Sequence, residues 1–563
     1  MALVLGMTYM WVELFIKQYT QRLDWDQNLC PVLKGITVSL ILQYTLFCLL
    51  SLRYAGDGAR YLSSSFASTP IWSVCTHFVN SSHCMGSRNI LQYCEKPRPR
   101  ELLTLNVTSV HIYYTEYMKS NIRGAWTWRF FVVAVMWVLN FCLTTVPDSV
   151  ILKFYKYLVV LKHVCSILTY AYLAISTGRA EEAFFKLMDI NMNANNSIGA
   201  TVSVVALVYG VGMIGVHDFG STSPFTMTDN AVIIFTVLYI LLSSLRSMSV
   251  NILLIQLSDC VNIHSDEVGN WHYIFFVLLP LATEFLFGQK VINISIYLHV
   301  LLSLLPCLVL YSLTVTRLLH SEFPSTKFIY IQGLICLFGF LLSVPILLVD
   351  QYVDEIRTGL IYGLNITILY LGGLKMAIIM WIYGVRKFST DINFWLGFSP
   401  TKFWTVCWSV LPAILWIAFG NAMYDVAQWE ESEVEKRCAL MWCLVSAVIT
   451  FGFQIRIIVR YAMKNNLMGA FRNNKKYGPF DKRDRKRRRR YDVSIDERQC
   501  FHDCISIDEE IDCNHLPLMN TGEGPSSIDS QSTLTQMYES ATSRTESVIT
   551  LMETKPDTKE KQA

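Results

Sequence analysis

The stretch WIYGVRKFSTDINFWLGFSPTKFWTVCW, residues 381–408, decides the fold. Its two ends are aromatic and apolar, and they flank a polar joint with Arg386, Lys387, Asp391 and a Gly-x-x-Pro turn that begins at Gly397. Tryptophan and tyrosine are enriched where helices cross the membrane interface, and basic residues mark the cytoplasmic side. The stretch therefore predicts two spanning helices joined by a short cytoplasmic segment. The predicted interfacial anchors are Trp381, Tyr383, Trp404 and Trp408.

The whole chain has the composition of a membrane protein. Of its 563 residues, 53% are hydrophobic and 16% are charged, whereas soluble proteins are about 25% charged. Apolar blocks of roughly 18 residues or more predict spanning helices, so we predict an all-α membrane protein with about eleven spans. The interval 271–289 is either a twelfth span or a re-entrant piece, and Pro280 and Glu284 favour the second. The spans are predicted at 1–21, 34–56, 126–146, 152–176, 199–220, 230–257, 291–316, 327–349, 358–384, 403–422 and 438–460.

The charge distribution predicts the orientation. The basic residues of the 381–408 joint and the run Lys482–Arg490 fall on one side, which is cytoplasmic by the positive-inside rule. The sequons at Asn80 and Asn106 fall on the other side, where they predict glycosylation. The C-terminus is therefore expected in the cytoplasm, and the plasma membrane is the expected location.

The same reasoning divides the chain into two parts. Residues 1–460 are predicted to form the transmembrane domain, with a large extracellular loop at 62–125. Residues 461–563 are predicted to form a cytoplasmic tail that is first basic and then Ser/Thr-rich and disordered. The run Lys482–Arg490 is either an anionic-lipid site or plain topology-retaining charge. The lipid bilayer is the expected partner, and no nucleic-acid partner is expected.

Four blocks in colinear order resemble the neurotransmitter:sodium symporter family. The opening stretch, continued through SVLPAIL, is similar to the junction between the tenth and eleventh helices of that family. The stretch YLSSSFASTPIWSVCTHFVNSSHC, Tyr61–Cys84, is similar to the third-helix exit and the disulfide-bearing outer loop. ELFIKQYTQRLDWDQNLCPVLKGI, Glu13–Ile36, and SEFPS, Ser321–Ser325, match the second helix and the segment after the eighth. The resemblance covers residues 1–460.

The resemblance implies two inverted five-helix repeats, with substrate and ions bound at the midplane where helices are unwound. It also implies a disulfide between Cys75 and Cys84. Sodium and chloride are the expected ions, and no organic cofactor is expected. The match begins at the second helix of the family, so the first helix is predicted to be absent, through either truncation or loss.

The substrate and ion positions of the family fall on unsuitable residues. Methyl, isopropyl and pyrrolidine groups do not coordinate a cation, so the ion chemistry of the family is predicted to be lost. Glycines in the sixth helix predict either an unwound stretch or close helix packing. The substrate positions implied by the resemblance are Leu50, Ser51, Ala206, Gly210 and Gly212. The sodium positions are Ala206, Val237, Pro306 and Cys307.

Several charges lie within predicted spans. Ionisable groups at membrane depth are costly and often functional, but long side chains near helix ends reach water by snorkelling. For Arg53 and Asp57 both interpretations stay open. Lys375 lies deeper, and the sequence does not give its partner. No nucleophile constellation is present, so an enzyme is not expected.

Two functions follow from these observations. The first is sodium-coupled symport of an amino acid or neurotransmitter-like solute by alternating access, with the coupling weakened by the lost ligands. The second is a transport-inactive relative that acts as a regulatory or partner membrane protein. An unrelated receptor or channel is disfavoured by the two specific motif blocks.

Overall fold

A computed structural model describes residues 5–21, 25–75, 84–95, 103–118, 123–188, 198–211, 228–263, 271–347, 351–428, 433–474 and 476–491. These residues are helical apart from turns and one parallel pair of two-residue strands, β1 (Leu103–Thr104) and β2 (Val261–Asn262). They belong to a compact unit that runs from Met1 to Tyr491. This unit continues past the predicted domain boundary at residue 460. The later, Ser/Thr-rich part of the tail, which is predicted to be disordered, lies outside the described residues.

In the described part of the chain, nine helices are long and apolar enough to cross a membrane. They confirm nine of the predicted spans. The long helices are α3 (Leu33–Ser65), α6 (Arg123–Thr144), α7 (Asp148–Thr177), α10 (Thr228–Ser258), α13 (Gln289–Glu322), α14 (Phe328–Ile346), α15 (Gln351–Ala377), α17 (Lys402–Gln428) and α18 (Glu433–Ala462). Helix α15 continues through a π-helical segment, Ile378–Gly384, into α16 (Val385–Leu396). The shorter helices are α1 (Met7–Thr20), α2 (Trp25–Leu29), α4 (Ser87–Glu95), α5 (Ser109–Ile112), α8 (Ala180–Met188), α9 (Ile198–Val208), α11 (Trp271–Tyr273), α12 (Leu279–Thr283) and α19 (Lys482–Arg490).

The remaining predicted spans coincide with shorter helices. A span needs about 20 residues, because each residue adds about 1.5 Å. The predicted span 1–21 contains α1, which has 14 residues, and the span 199–220 contains α9, which has 11. Within the apolar interval 271–289 the chain is helical from 271 to 283, with a π-helical middle at Ile274–Leu278, and turns follow. That length does not allow a twelfth span.

The spanning helices run between two opposite sides of the helix assembly. We call these the tail side and the loop side and define each by its residues. Helix α3 crosses from one to the other: the Val32 amide before it donates to Ala470, and Tyr61 near its end donates to the carbonyl of Phe276. The tail side is defined by Tyr19, Asp391, Ala470 and Arg488. The loop side is defined by Trp72, Cys94, Cys260 and Phe276.

Helix α1 forms the centre of the largest apolar core. Trp11 is 4.8 Å from Trp408 and 6.3 Å from Phe388, measured between ring centroids. Trp408 is fully buried and Tyr383 is 7% exposed, so the prediction that both anchor at the interface was wrong. Their aromatic surface is buried against α1, because core burial of a large ring removes more apolar area from water than an interfacial position does. Trp381 is exposed and donates to the Ser409 carbonyl.

The joint after α15 has the geometry that its glycine predicts. Helix α16 ends at Leu396, and Gly397 follows with φ +74°, donating its amide to the Asn393 carbonyl. A left-handed residue after a helix is usually glycine, because a Cβ is strained there. The Gly-x-x-Pro motif therefore stops α16 and turns the chain into α17.

Candidate functional site

The two substrate positions on α3 offer no free polar group. Leu50 is buried in the apolar core. The Ser51 hydroxyl donates to the carbonyl of Phe47, one turn back on the same helix, at 2.7 Å. A hydroxyl has one proton to donate. Neither side chain is therefore available to donate to a solute carboxylate in this arrangement.

Two of the sodium positions carry only hydrocarbon. Ala206 is fully buried in α9. Val237, on α10, is 49% exposed on the outer surface of the helix assembly. Sodium, like other hard cations, is coordinated by oxygen, so these side chains supply no ligand.

The other two sodium positions, Pro306 and Cys307, lie within the continuous helix α13. The Pro306 carbonyl accepts a hydrogen bond from the Tyr155 hydroxyl at 2.7 Å, and the Cys307 carbonyl accepts one from Tyr44 at 3.0 Å. Each carbonyl thus accepts from a phenol on a neighbouring helix, Tyr155 on α7 and Tyr44 on α3. The oxygen atoms at this position are therefore already hydrogen-bonded within the protein.

Of the sixth-helix glycines, Gly210 stands at the end of a helix. Helix α9 ends at Val208, and Gly210 has φ +71°. The Val211 amide donates to Ala206 and the Gly210 amide donates to Leu207, which is the paired bonding of a Schellman termination. Gly210 therefore marks the end of α9. Gly212 lies outside the described residues.

Lys375 has its partner on the first helix of the chain. Its ammonium contacts a carboxylate oxygen of Glu13 and lies 5.1 Å from the ring of Trp25. The side chains of Lys375 and Glu13 are 11% and 4% exposed. The pair therefore joins α15 to α1 inside the helix assembly, and a buried charge with a partner is far less costly than an isolated one.

A buried charge network ties four elements together near the loop side. Asp57 on α3 accepts from Arg129 of α6 at 2.6 Å and lies 3.6 Å from Arg53. Its second oxygen is 3.1 Å from Nε2 of His272 on α11. Arg53 donates to Asp354 of α15 at 2.7 Å. We call these five residues the Asp57 network. Arg53 and Asp57 are each 1% exposed, so neither reaches water by snorkelling.

The protonation state of His272 follows from its neighbours. Burial lowers the pKa of the imidazole below its usual range, so the neutral ring is favoured. The neutral ring then donates from Nε2 to Asp57 and accepts at Nδ1 from the Tyr114 hydroxyl, 2.8 Å away. The network thus runs from a phenol through an imidazole to a carboxylate held by two arginines.

A second polar centre closes the tail side. One oxygen of Asp391 accepts from Arg488 at 2.6 Å and from Tyr19 at 3.3 Å. The other oxygen accepts from Tyr383 at 2.7 Å and Tyr477 at 3.5 Å. We call these five residues the Asp391 node. It joins α1, the π-helical segment after α15, α16, α19 and the segment before α19, and Asp391 is 1% exposed.

Helix α19 carries basic residues on two faces. Arg485 and Arg488 turn inward, and Arg485 donates to the carbonyls of Pro479 and Phe480. The outward face is exposed. Its basic residues are Lys482, Arg483, Lys486, Arg487 and Arg489.

Two disulfides cross-link the loop side. Cys75 and Cys84 form the disulfide that the family resemblance implies, with Cα atoms 6.0 Å apart. Cys94 and Cys260 form a second one, with Cα atoms 5.7 Å apart, which the sequence did not reveal because 166 residues separate them. Asn106 is exposed on this side, whereas Asn80 lies outside the described residues.

Most members of the Asp57 network were not predicted. Arg129, His272 and Asp354 stand at the ends of apolar blocks, where the sequence gives no sign of their shared partner. The available signal was charge inside or beside an apolar run. Among the described residues, no group of His, Cys, Asp or Glu side chains has the arrangement of a metal site.

The nine long apolar helices define a multi-pass membrane protein. The family model described as "Sodium:neurotransmitter symporter family" matches residues 1–465, so the chain belongs to that family. This is a family of transporters, not enzymes.

Individual relatives match over short segments. The chain is 34% identical over 70 residues to a "Sodium- and chloride-dependent glycine transporter 2" of Xenopus laevis, covering 12% of this chain and 8% of the relative. It is 35% identical over 54 residues to a "Sodium-dependent serotonin transporter" of Drosophila melanogaster, covering 10% and 9%. It is 33% identical over 91 residues to "Sodium-dependent neutral amino acid transporter B(0)AT1" of Rattus norvegicus, covering 16% and 14%. The matches thus span a small part of these relatives.

Proposed function

We propose that this protein is a small-solute carrier working by alternating access, without sodium coupling at the family positions. The solute class is an amino acid or a neurotransmitter-like amine, by analogy with the named relatives. The observation that carries the proposal is the state of the four sodium positions. Ala206 and Val237 offer hydrocarbon, and the carbonyls of Pro306 and Cys307 are occupied by tyrosine hydroxyls.

The end of α9 inside the helix assembly and the ion pairs on the two sides of that assembly support a transport function. Helix α9 ends just before Gly210, and helix ends within a membrane occur where backbone lines a site. The Asp57 network and the Asp391 node close opposite sides of the helix assembly. Alternating access requires the two to open in turn, so these ion pairs are the contacts that must break and reform.

A transport-inactive partner protein is the second candidate. The observation in its favour is that Leu50 and Ser51 offer no donor to a solute. The buried ion pairs add to this, because separating one costs about 3–5 kcal/mol when a charge is left uncompensated. In this function the helix assembly is a stable docking body for another membrane protein.

The membrane context of the proposal has three parts. The tail side faces the cytoplasm of a plasma-membrane protein, as the positive-inside pattern favours. Asn80 and Asn106 are glycosylated on the opposite side. The outward basic face of α19 contacts anionic lipid, since each basic residue near such a surface contributes about 1 kcal/mol.

The deciding experiment measures uptake in cells that display the full chain at the surface. Labelled amino acids and monoamines are screened with sodium present and with sodium replaced by an inert cation. Mock-transfected cells and surface biotinylation provide the controls. We expect uptake of at least one solute that does not change when sodium is replaced.

The alternative outcomes are distinct. Uptake that vanishes without sodium overturns the uncoupled carrier and means that other groups coordinate the ion. No uptake of any solute, with surface display proven, overturns transport and favours the partner-protein function.

A further inference from the structure

A cluster of cationic side chains lies midway along three spanning helices. Lys162 is on α7, Arg246 on α10 and His299 on α13, each at least ten residues from either end of its helix. At about 1.5 Å per residue, this places them roughly 15 Å or more from the helix ends. Charge at such depth is costly and is retained mainly where it serves a function.

The cluster faces the interior of the helix assembly. On α7, Leu161, Val164 and Leu168 are exposed, whereas Lys162 and Ser166 are half-buried on another face. The Ser166 hydroxyl lies 3.1 Å from Nδ1 of His299. A second hydroxyl pair one turn further, Thr169 with Ser295 at 2.7 Å, continues the same contact between α7 and α13. We call this line of contacts the polar seam.

His299 orients Arg246. The guanidinium Nη1 lies 3.4 Å from Nε2 of His299, and Nε donates to the Leu242 carbonyl of its own helix. With Nε2 accepting from Arg246, the imidazole is neutral and Nδ1 donates to Ser166. A guanidinium has five N–H groups. Three of those on Arg246 have no acceptor among the described residues.

The cluster differs from the other deep cations in having no carboxylate partner. Arg53 and Arg129 pair with Asp57, and Lys375 pairs with Glu13. Within the described ranges, no acidic side chain forms a salt bridge with Lys162 or Arg246, and both side chains are half-buried. Two half-buried cations of like charge need a counter-charge.

We propose that the cluster of Lys162 on α7, Arg246 on α10 and His299 on α13 binds a small anion beside the polar seam, either chloride or the carboxylate of a small solute. The planar Arg246 fork presents its free N–H groups to the anion, and the Lys162 ammonium adds a second positive charge. His299 is a positioning residue that holds the guanidinium. This site differs from the four sodium positions, and its occupancy does not depend on whether the protein transports a solute.

The test uses the purified full chain in detergent. The midpoint of thermal unfolding is measured with chloride, acetate or the bulky morpholinoethanesulfonate as the sole anion, at equal sodium and ionic strength. A ligand that binds only the folded state raises the midpoint. We expect chloride, acetate or both to raise it by about 2–4 °C over the bulky anion. Chloride alone identifies an inorganic-anion site, and acetate alone identifies a carboxylate site.

Matched variants locate the effect. Arg246→Gln is expected to weaken anion affinity about tenfold or more and to remove the shift, because a charged hydrogen bond is lost. Arg456→Gln, the same change at an exposed arginine on α18, is expected to keep it. If Arg246→Gln does not fold, Lys162→Gln serves in its place. Equal midpoints in all three anions, or a full shift in Arg246→Gln, would overturn the proposal.

Discussion

Asp57 compensates two arginines at once. Its carboxylate contacts Arg129 and Arg53 where all three are about 1% exposed. Neither arginine has water to solvate it at this position. The contribution of Asp57 to stability is therefore set by what its loss would leave behind: Arg129 would lose its buried carboxylate, while Arg53 would keep Asp354.

Asp57→Asn is expected to lower the free energy of unfolding by about 3–5 kcal/mol, because it leaves buried charge uncompensated. Asp259→Asn provides the matched control. Asp259 pairs with Arg179 at the surface, and such pairs contribute under about 1 kcal/mol. Unfolding midpoints in detergent check both variants. Equal losses in the two would contradict the assigned role of Asp57.

Glu284 predicts a pH dependence. Burial raises its pKa from 4.5 to about 7, so the unfolded chain loses this proton at lower pH than the folded protein does. Its contribution to stability is fully present below about pH 4.5 and is lost as the pH rises to about 7. Glu284→Gln removes this loss. The free energy of unfolding of the variant, relative to that of wild type, is therefore expected to rise as the pH increases from 5 to 7.5. A difference that does not change with pH would argue against the raised pKa of Glu284.

At the residue scale, the sequence reveals a deep charge but not its partner. Lys375 stood out because it interrupts an apolar run, yet Glu13 lies on the first helix and no periodicity connects the two. The same holds for His272, which the sequence places beside an apolar block without indicating that it meets Asp57. Ion pairs between distant helices depend on packing that a single sequence does not encode locally.

At the scale of elements, the backbones of α15 and α18 pack so closely that only glycine fits at two positions of α15. Gly359 and Gly363 lie one turn apart on α15 and face the backbone of α18. A Cβ at Gly363 would lie 2.9 Å from the carbonyl oxygen of Ala439, and one at Gly359 would overlap the carbonyl oxygen of Glu435. Small residues spaced by four allow such close packing between membrane helices.

Gly359→Ala is expected to destabilise the protein by about 1–3 kcal/mol, because the added methyl forces the helices apart. Gly452→Ala on α18 is the control, since a Cβ there meets nothing within 4 Å. That variant is expected to gain about 0.5–1 kcal/mol, as alanine favours a helix over glycine. Thermal unfolding of the two side by side checks the contrast, and a loss in both would refute the packing argument.

Long helices were predictable because membrane thickness fixes their length and apolar composition. The turn at Gly397 was also predictable, since glycine tolerates a left-handed backbone. The short elements were not. Strand β1 pairs with β2 from beyond α10, and α11 and α12 pack into the same loop-side core. Such elements are stabilised by distant contacts, and their few residues carry no periodic signal.

The molecule as a whole is closed on its tail side by chain that follows the last span. Arg488 is the contact of α19 with the Asp391 node, while Arg487 on the same helix pairs locally with Asp484 and is half exposed. The chain from Ala470 to Tyr491 is therefore part of the folded body. Its release would uncover Asp391, Tyr19 and Tyr383.

In Arg488→Gln, trypsin is expected to cleave within residues 482–490 faster than in wild type, because the buried ion pair between residue 488 and Asp391 is lost. Arg487→Gln removes one basic residue from the same helix without touching Asp391. Cleavage rates of the two variants in native detergent provide the comparison. Similar rates would mean that Asp391 does not hold the helix.

The Asp391 node also has a consequence in time. Tyr19 is 372 residues upstream of Asp391. At a synthesis rate of 5–20 residues per second, the ribosome needs roughly 20 to 75 seconds to make the intervening chain. During that interval α1, including the buried ring of Trp11, waits without Phe388, Trp404 and Trp408. Helix α1 is thus made long before its native surroundings exist, and a chaperone or translocon that shields it would have to act throughout that interval.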